Sequence, residues 1–330
     1  MKIGTTIAAS IITIVIAALI TVFVVRSLMP AQETSYDIVV VVKAMSPDME
    51  FWEIVRAGID TAAREFGVEP RVTGPWLERD IADQIRILSE IIDERPDGVI
   101  LAASDYEALA PLADRAVAAG ISLVTIDSAV AGDAAASFVA TDNLRAGERA
   151  GEAMAAVLPE GSTVAIVSHI EEVATSIDRE YGALRGLARR GNYNFLGTYF
   201  SENTLELAYA HAERLMNEHP DLGGIIGLNE TSTVGVARAV RDAGKASQVR
   251  VVGFDHSQEE IAFLEQDVIQ ALIVQKPFNM GYVSLRTMID VLEGRAVEQF
   301  IDTGSELVTR ENMYDPEFQQ LLFPFFDPAR

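Results

Sequence analysis

From residue 37 onward, short runs of apolar residues alternate with longer stretches whose apolar positions recur every three or four residues. Residues 37–43 (DIVVVVK) read as a strand buried on both faces, the pattern of parallel sheets. Residues 51–66 follow with Ile54, Val55, Ile59 and Ala62 at helical spacing, and Gly67 stops the helix. The alternation continues with strand 68–73, helix 78–94, strand 97–101 and a helix capped by Ser104 that ends at Gly120. Strand 121–126 closes on Asp127, and strand 137–140 follows. From residue 143 the pattern restarts: helix 143–158, strand 163–167, helix 175–190, strand 195–200, helix 204–218. Strand 224–228 closes on Asn229, and helix 232–243 leads to a short strand of Val249, Val251 and Val252 that Gly253 ends, with Asp255 left pointing out beyond it. Helix 259–266, strand 269–275 and a helix opened by Pro277 complete the series. Repeated β–α alternation means parallel strands joined by right-handed crossovers. There are too many strands for one core. The expected fold class is α/β with two Rossmann-like lobes, divided near Asp142.

Composition narrows the functions. The chain has 330 residues, 49% of them hydrophobic, enough for two globular units. Its formal net charge of -23 repels nucleic-acid phosphates and anionic lipid headgroups. It contains no cysteine, which removes disulfides, thiolate metal sites, cysteine nucleophiles and a lipid-modified cysteine anchor. The four histidines, at 169, 211, 219 and 256, are scattered and give little material for a metal site. No strand leads into G-x-G-x-x-G or G-x-x-x-x-G-K-[ST], so no nucleotide cofactor is expected, and no G-x-S-x-G nucleophile elbow is present.

Residues 3–25 carry no charge, between Lys2 and Arg26, and are long enough to span a bilayer core. No small-x-small cleavage site follows them. They read as an uncleaved signal anchor, with residues beyond about 30 outside the cytoplasm. A cleaved signal peptide is the alternative.

Several short motifs stand in a fixed order: Phe51-Trp52, Gly58, Asp97-Gly98-Val99-Ile100, Ala119-Gly120-Ile121 leading to Asp127, Thr141-Asp142-Asn143, Arg179 with Gly182, Asn229, Val251-Val252-Gly253-Phe254-Asp255 and Gln275-Lys276-Pro277. In that order they resemble the type I periplasmic sugar-binding proteins, the ribose- and galactose-binding group. Its fold is shared by the ligand-binding core of lactose-repressor-like regulators. The resemblance implies two lobes joined by three hinge strands, with ligand held in the cleft between them. Lobe one would take residues 37–141 and 276–302, and lobe two residues 142–275 and 303–330, after a membrane segment at 1–30. The ligand-binding residues implied are Phe51, Trp52, Asp127, Arg179, Asn229, Asp255 and Gln275.

Each has a plainer reading. Phe51 and Trp52 are also a core pair at a helix start, Arg179 a solvated helix charge, and Asp255 the cap of the helix beginning near Gln258. The chain departs from the family pattern at three places: Met49-Glu50 stand where Asn-Pro is common, Ser128 where ribose binders often carry Arg, and Glu230 where Asp is usual. No helix-turn-helix precedes the core. The resemblance implies a binder that closes on a sugar and delivers it to an ABC-type permease. A membrane-tethered sensor signalling to a histidine kinase is the second reading. An enzyme using the paired strand-end acids is the third.

Overall fold

The computed structural model describes residues 36–47 and 49–323. Residues 3–25 lie outside them, and among the described residues no helix is long and apolar enough to cross a membrane.

The first sheet is built from β1 (Ile38–Val41), β2 (Arg71–Thr73), β3 (Gly98–Leu101), β4 (Ser122–Ile126), β5 (Ser137–Ala140) and β11 (Phe300–Asp302), in the order β11-β5-β4-β3-β1-β2. Every neighbouring pair in it is parallel. The second sheet holds β6 (Thr163–Ser168), β7 (Asn194–Phe200), β8 (Leu222–Gly227), β9 (Arg250–Phe254), β10 (Ala271–Gln275) and β12 (Ser305–Val308). Its order, β12-β10-β9-β8-β6-β7, repeats the first sheet position for position, and only β12 runs antiparallel. The chain passes between the sheets three times: after Ala140, after Gln275 and after Asp302.

Ten helices are described: α1 (Glu50–Phe66), α2 (Ile81–Glu94), α3 (Ala110–Ala118), α4 (Asn143–Val157), α5 (Ala174–Arg190), α6 (Leu205–Glu218), α7 (Glu230–Asp242), α8 (Gln258–Glu265), α9 (Pro277–Leu292) and α10 (Pro316–Leu322). The central strands of both sheets are buried end to end, which is why their sequences do not alternate. Val39, Val99 and Leu123 face α2 and α3, with Leu88, Ile91 and Ala116 beneath them. Fully burying each of these valine, leucine and isoleucine side chains contributes about 1.5–3 kcal/mol.

Glycines bring two helix pairs into close contact. A Cβ at Gly147 would sit 2.3 Å from the Arg179 carbonyl oxygen, and one at Gly182 2.2 Å from that of Leu144. α4 and α5 therefore touch backbone to backbone. Gly58 of α1 and Gly281 of α9 do the same beside the first sheet. That contact seats α9 with the first lobe although it follows the last parallel strand of the second.

Two local expectations are corrected. α2 starts at Ile81 rather than 78, after Asp80, which leaves Glu78 in the preceding loop. Ser104 does not cap a helix. α3 starts at Ala110, and Asp105 Oδ1 holds the intervening turn by accepting the Glu107 and Ala108 amides at 2.9 and 2.7 Å. At the other end, Phe318, Leu321 and Phe323 pack on the core of the second lobe, and the chain from 324 on lies outside the described residues.

Candidate functional site

The carboxyl ends of both sheets meet around one cavity. Phe51, Trp52, Asp127, Arg179, Asn229, Asp255 and Gln275 all line it. Its volume is about 30 Å³, so the two lobes stand nearly closed on it. The lobes touch around it: Asn203 Nδ2 donates to Glu78 Oε2, and the Tyr106 amide to the Glu172 carbonyl at 3.0 Å.

The two sheets contribute matching parts. β9 holds in the second sheet the place β4 holds in the first, and each ends on an aspartate. The Asp127 amide donates to Val139 of β5 at 3.0 Å, and the Asp255 amide to Ile273 of β10 at 2.9 Å. Both residues have positive φ, 61° and 74°. Non-glycine residues reach that region at a cost, and Asp tolerates it better than most. Strain of this kind gathers at functional sites.

The plainer reading of Asp255 fails. Ser257 caps α8 through its side chain, accepting from the Glu260 amide. Asp255 instead accepts from Gln275 Nε2 at 2.7 Å and from the Glu230 amide at 3.0 Å. Burial raises its pKa above the usual carboxylate value, and Arg179, Gln275 and the Glu230 amide pull the other way.

Arg179 is 2% exposed and is not a solvated helix charge. Its Nε donates to Asn143 Oδ1 and its Nη1 to the Leu228 carbonyl, each at 2.8 Å, while the guanidinium lies 4.6 Å above the Phe254 ring. The α4–α5 glycine contact places Asn143 and Arg179 side by side. Asn229 caps α7, accepting from the Ser232 amide at 3.0 Å, and turns its Nδ2 to Asn203 Oδ1 at 2.7 Å. Phe51 and Trp52 pack edge to face, 5.1 Å between centroids at 85°. Both are buried in the core and both reach the cavity wall.

Sequence reasoning missed Lys43, Glu78, His169, Thr175 and Glu230, which also line the cavity. Lys43 is 1% exposed and sits 2.8 Å from Asp127 Oδ2 and 3.3 Å from Glu78 Oε1. Burial pushes the Glu78 carboxyl up, and Lys43 pulls it back. His169 bonds Thr175 Oγ1 through Nε2 at 3.0 Å, leaving Nδ1 without a partner. Burial first, then Lys43 and Arg179, hold it well below the ordinary histidine value, so it is neutral. One signal was available for Lys43 and His169: each is a polar residue just beyond the end of a buried strand, as Asp127 and Asp255 are.

The site thus presents donors and acceptors from both lobes and flat rings from the first. Comparison with known proteins bears on the fold and the family. The D-ribose/D-allose-binding protein of Pseudomonas aeruginosa is 29% identical over 242 residues, 70% of this chain and 76% of that protein. The D-allose-binding periplasmic protein of Escherichia coli is 28% identical over 260 residues, 76% of this chain and 83% of that protein. A solved ABC transporter solute-binding protein of Agrobacterium vitis with bound D-fucose superposes with a TM-score of 0.83 at 32% identity, covering 87% of this chain and 99% of that one. A carbohydrate transporter solute-binding protein of Agrobacterium radiobacter in complex with D-arabinose gives 0.84 at 27% identity, covering 88% and 99%. The model of the periplasmic binding protein domain matches residues 38–296, and this chain belongs to that family, one of solute binders rather than enzymes.

Proposed function

We propose that this protein captures a monosaccharide in the cavity between its lobes and presents it to the permease of an ABC-type transporter. The observation that carries the reading is the convergence of strand-end Asp127, Asn229, Asp255 and Gln275 with Phe51, Trp52 and Arg179 on one cavity. Sugar hydroxyls need buried donors and acceptors, since an unpaired buried polar group is costly. Their C–H faces suit flat aromatic rings. Relatives named for ribose and allose, and structures holding D-fucose and D-arabinose, support a pentose or hexose. Residues 37–141 with 276–302 form one lobe in this reading, and 142–275 with 303–330 the other. They swing about the three crossings near Asp142, Gln275 and 302–304.

The test is thermal unfolding of residues 31–330 across pentoses, hexoses, disaccharides and inositols. A ligand at a hundredfold excess over its Kd adds about 2.7 kcal/mol. At about 2–4 °C per kcal/mol, the midpoint rises by roughly 5–10 °C. Silence across every sugar overturns the monosaccharide reading.

The uncharged run at residues 3–25 favours a tether, and with it a second reading as the outer part of a sensor for a histidine kinase. The tether predicts that the protein stays with the membrane pellet after an alkaline carbonate wash. Recovery in the soluble extracytoplasmic fraction counts against it.

A further inference from the structure

α1 of lobe one begins without a cap. Its N-cap residue is Met49, which offers no side-chain acceptor, so the first amides of the helix need partners from elsewhere. The partner comes from the other lobe: the carboxyl of Glu230, at the start of α7, lies against the backbone N–H groups of Phe51 and Glu50. Glu50 reaches back in turn. The Gln258 amide, at the start of α8 in lobe two, donates to Glu50 Oε1 at 3.5 Å. Each lobe therefore places a carboxyl on a helix start of the other. Glu50 and Glu230 stand at two of the three places where the chain departs from the family pattern.

The surroundings of Glu230 make this contact depend on protonation. The charged groups acting on it are Glu50 from α1 and Asp255 from the end of β9, and Glu260 of α8 interacts with it as well. All are acids. His256, beside Asp255, is held down to about 4 by burial and adds no positive charge. Glu230 Oε2 and Glu260 Oε1 are buried with no hydrogen-bond partner. Two carboxyls in one buried place, each with one oxygen lacking a donor, are costly when both are ionised, and a proton removes one of the charges.

We propose that Glu230 is the latch between the lobes, and that it holds them shut only while it carries a proton. The protonated carboxyl still accepts the α1 amides through its carbonyl oxygen. Burial holds the Glu260 carboxyl well above the ordinary value, so it stays protonated; ionised, Glu230 adds a second buried negative charge beside Asp255, and the lobes part to hydrate it. The latch rests on the closing motion proposed above, but not on which sugar is bound.

The direction of the pH effect follows. Burial, then Asp255 and Glu50, raise Glu230 to about 8 in the closed form, while a hydrated glutamate ionises in the ordinary range. The closed form therefore keeps a proton that the open form has lost. Closure is fully supported at acid pH and weakens as pH rises toward 8, by up to about tenfold per pH unit in its equilibrium constant.

Because the chain has no cysteine, Asp114→Cys in exposed α3 and Glu213→Cys in exposed α6 accept a donor–acceptor dye pair on the full chain. Without any sugar, energy transfer between the lobes changes between pH 6 and 9. Glu230→Gln, which is neutral at every pH, loses that change and stays at the acid-side value. Glu50→Gln removes one of the like charges, brings the closed-form value of Glu230 down and so makes the pH-dependent change smaller. An unchanged pH response in Glu230→Gln, or a flat parent, overturns the latch. The same labelled protein, exposed to a panel of monosaccharides, separates the two ideas. Transfer that moves with a sugar but not with pH sinks the latch and leaves the binding reading standing. Transfer that moves with neither sinks both.

Discussion

Replacing Lys43 with methionine destabilises the fold by about 3–5 kcal/mol, the range observed when one partner of a buried ion pair is removed. Lys43 holds two acids at once, Asp127 at 2.8 Å and Glu78 at 3.3 Å, and none of the three side chains is more than 6% exposed. Methionine fills most of the volume, so the loss is one of charge rather than packing. The destabilisation depends on pH, and its sign is fixed. Glu78 is already pushed up by burial, against the pull of Lys43. Without that pull its folded-state pKa rises further above the unfolded value. The folded variant then binds more protons than the unfolded chain, so its stability is greatest at acid pH and falls as pH rises through that value. Denaturant midpoints at pH 5.5 and 8 check this, with a larger deficit expected at pH 8. Adding Asp127→Asn to the variant restores part of the loss. A deficit equal at both pH values, with no rescue by Asp127→Asn, would mean that Lys43 acts by packing alone.

Lys43 also shows where reading the sequence stops. The strand–helix order was legible because apolar runs and helical spacing are local, and the strand-end acids stood out because a polar residue after a buried strand has few uses. Lys43 is the same kind of residue, but it read as the polar end of DIVVVVK. Its meaning depends on Glu78, 35 positions on, and Asp127, 84 positions on. Glu78 was hidden in another way. Nothing local separates it from the helix that starts at Ile81, and only the loop geometry turns it inward. Ser104 misled for the opposite reason: Ser before an apolar run is a good cap pattern, yet Asp105 next to it makes the turn instead. The equivalence of the two halves was visible only as repetition. The pairing of β4 with β9, and so of Asp127 with Asp255, needs the strand order.

That equivalence gives the second large effect, because Asp255 serves more than one group. Its Oδ1 holds Gln275 Nε2 at 2.7 Å, its Oδ2 holds the amide that starts α7, and Arg179 supports its charge. Asp255→Ala leaves Gln275 with neither amide group bonded, since Gln275 Oε1 already has no partner. It also puts alanine at a φ of 74° that aspartate tolerates better. Truncating a buried, hydrogen-bonded charge at a binding surface costs about 2–5 kcal/mol. The sugar that raises the parent's unfolding midpoint then binds at least about 30-fold more weakly, by the arithmetic of a tenfold change per 1.4 kcal/mol. Asp255→Asn separates the causes. Asparagine keeps the shape and tolerates positive φ, but it has one acceptor oxygen where aspartate has two, so its affinity falls between parent and alanine. Titration calorimetry measures both variants, with a denaturant midpoint beside each to exclude simple unfolding. An Asp255→Ala protein that folds and binds within about threefold of the parent would remove Asp255 from the ligand site. Asp127, its counterpart in the first sheet, would then have to carry the acceptor role alone.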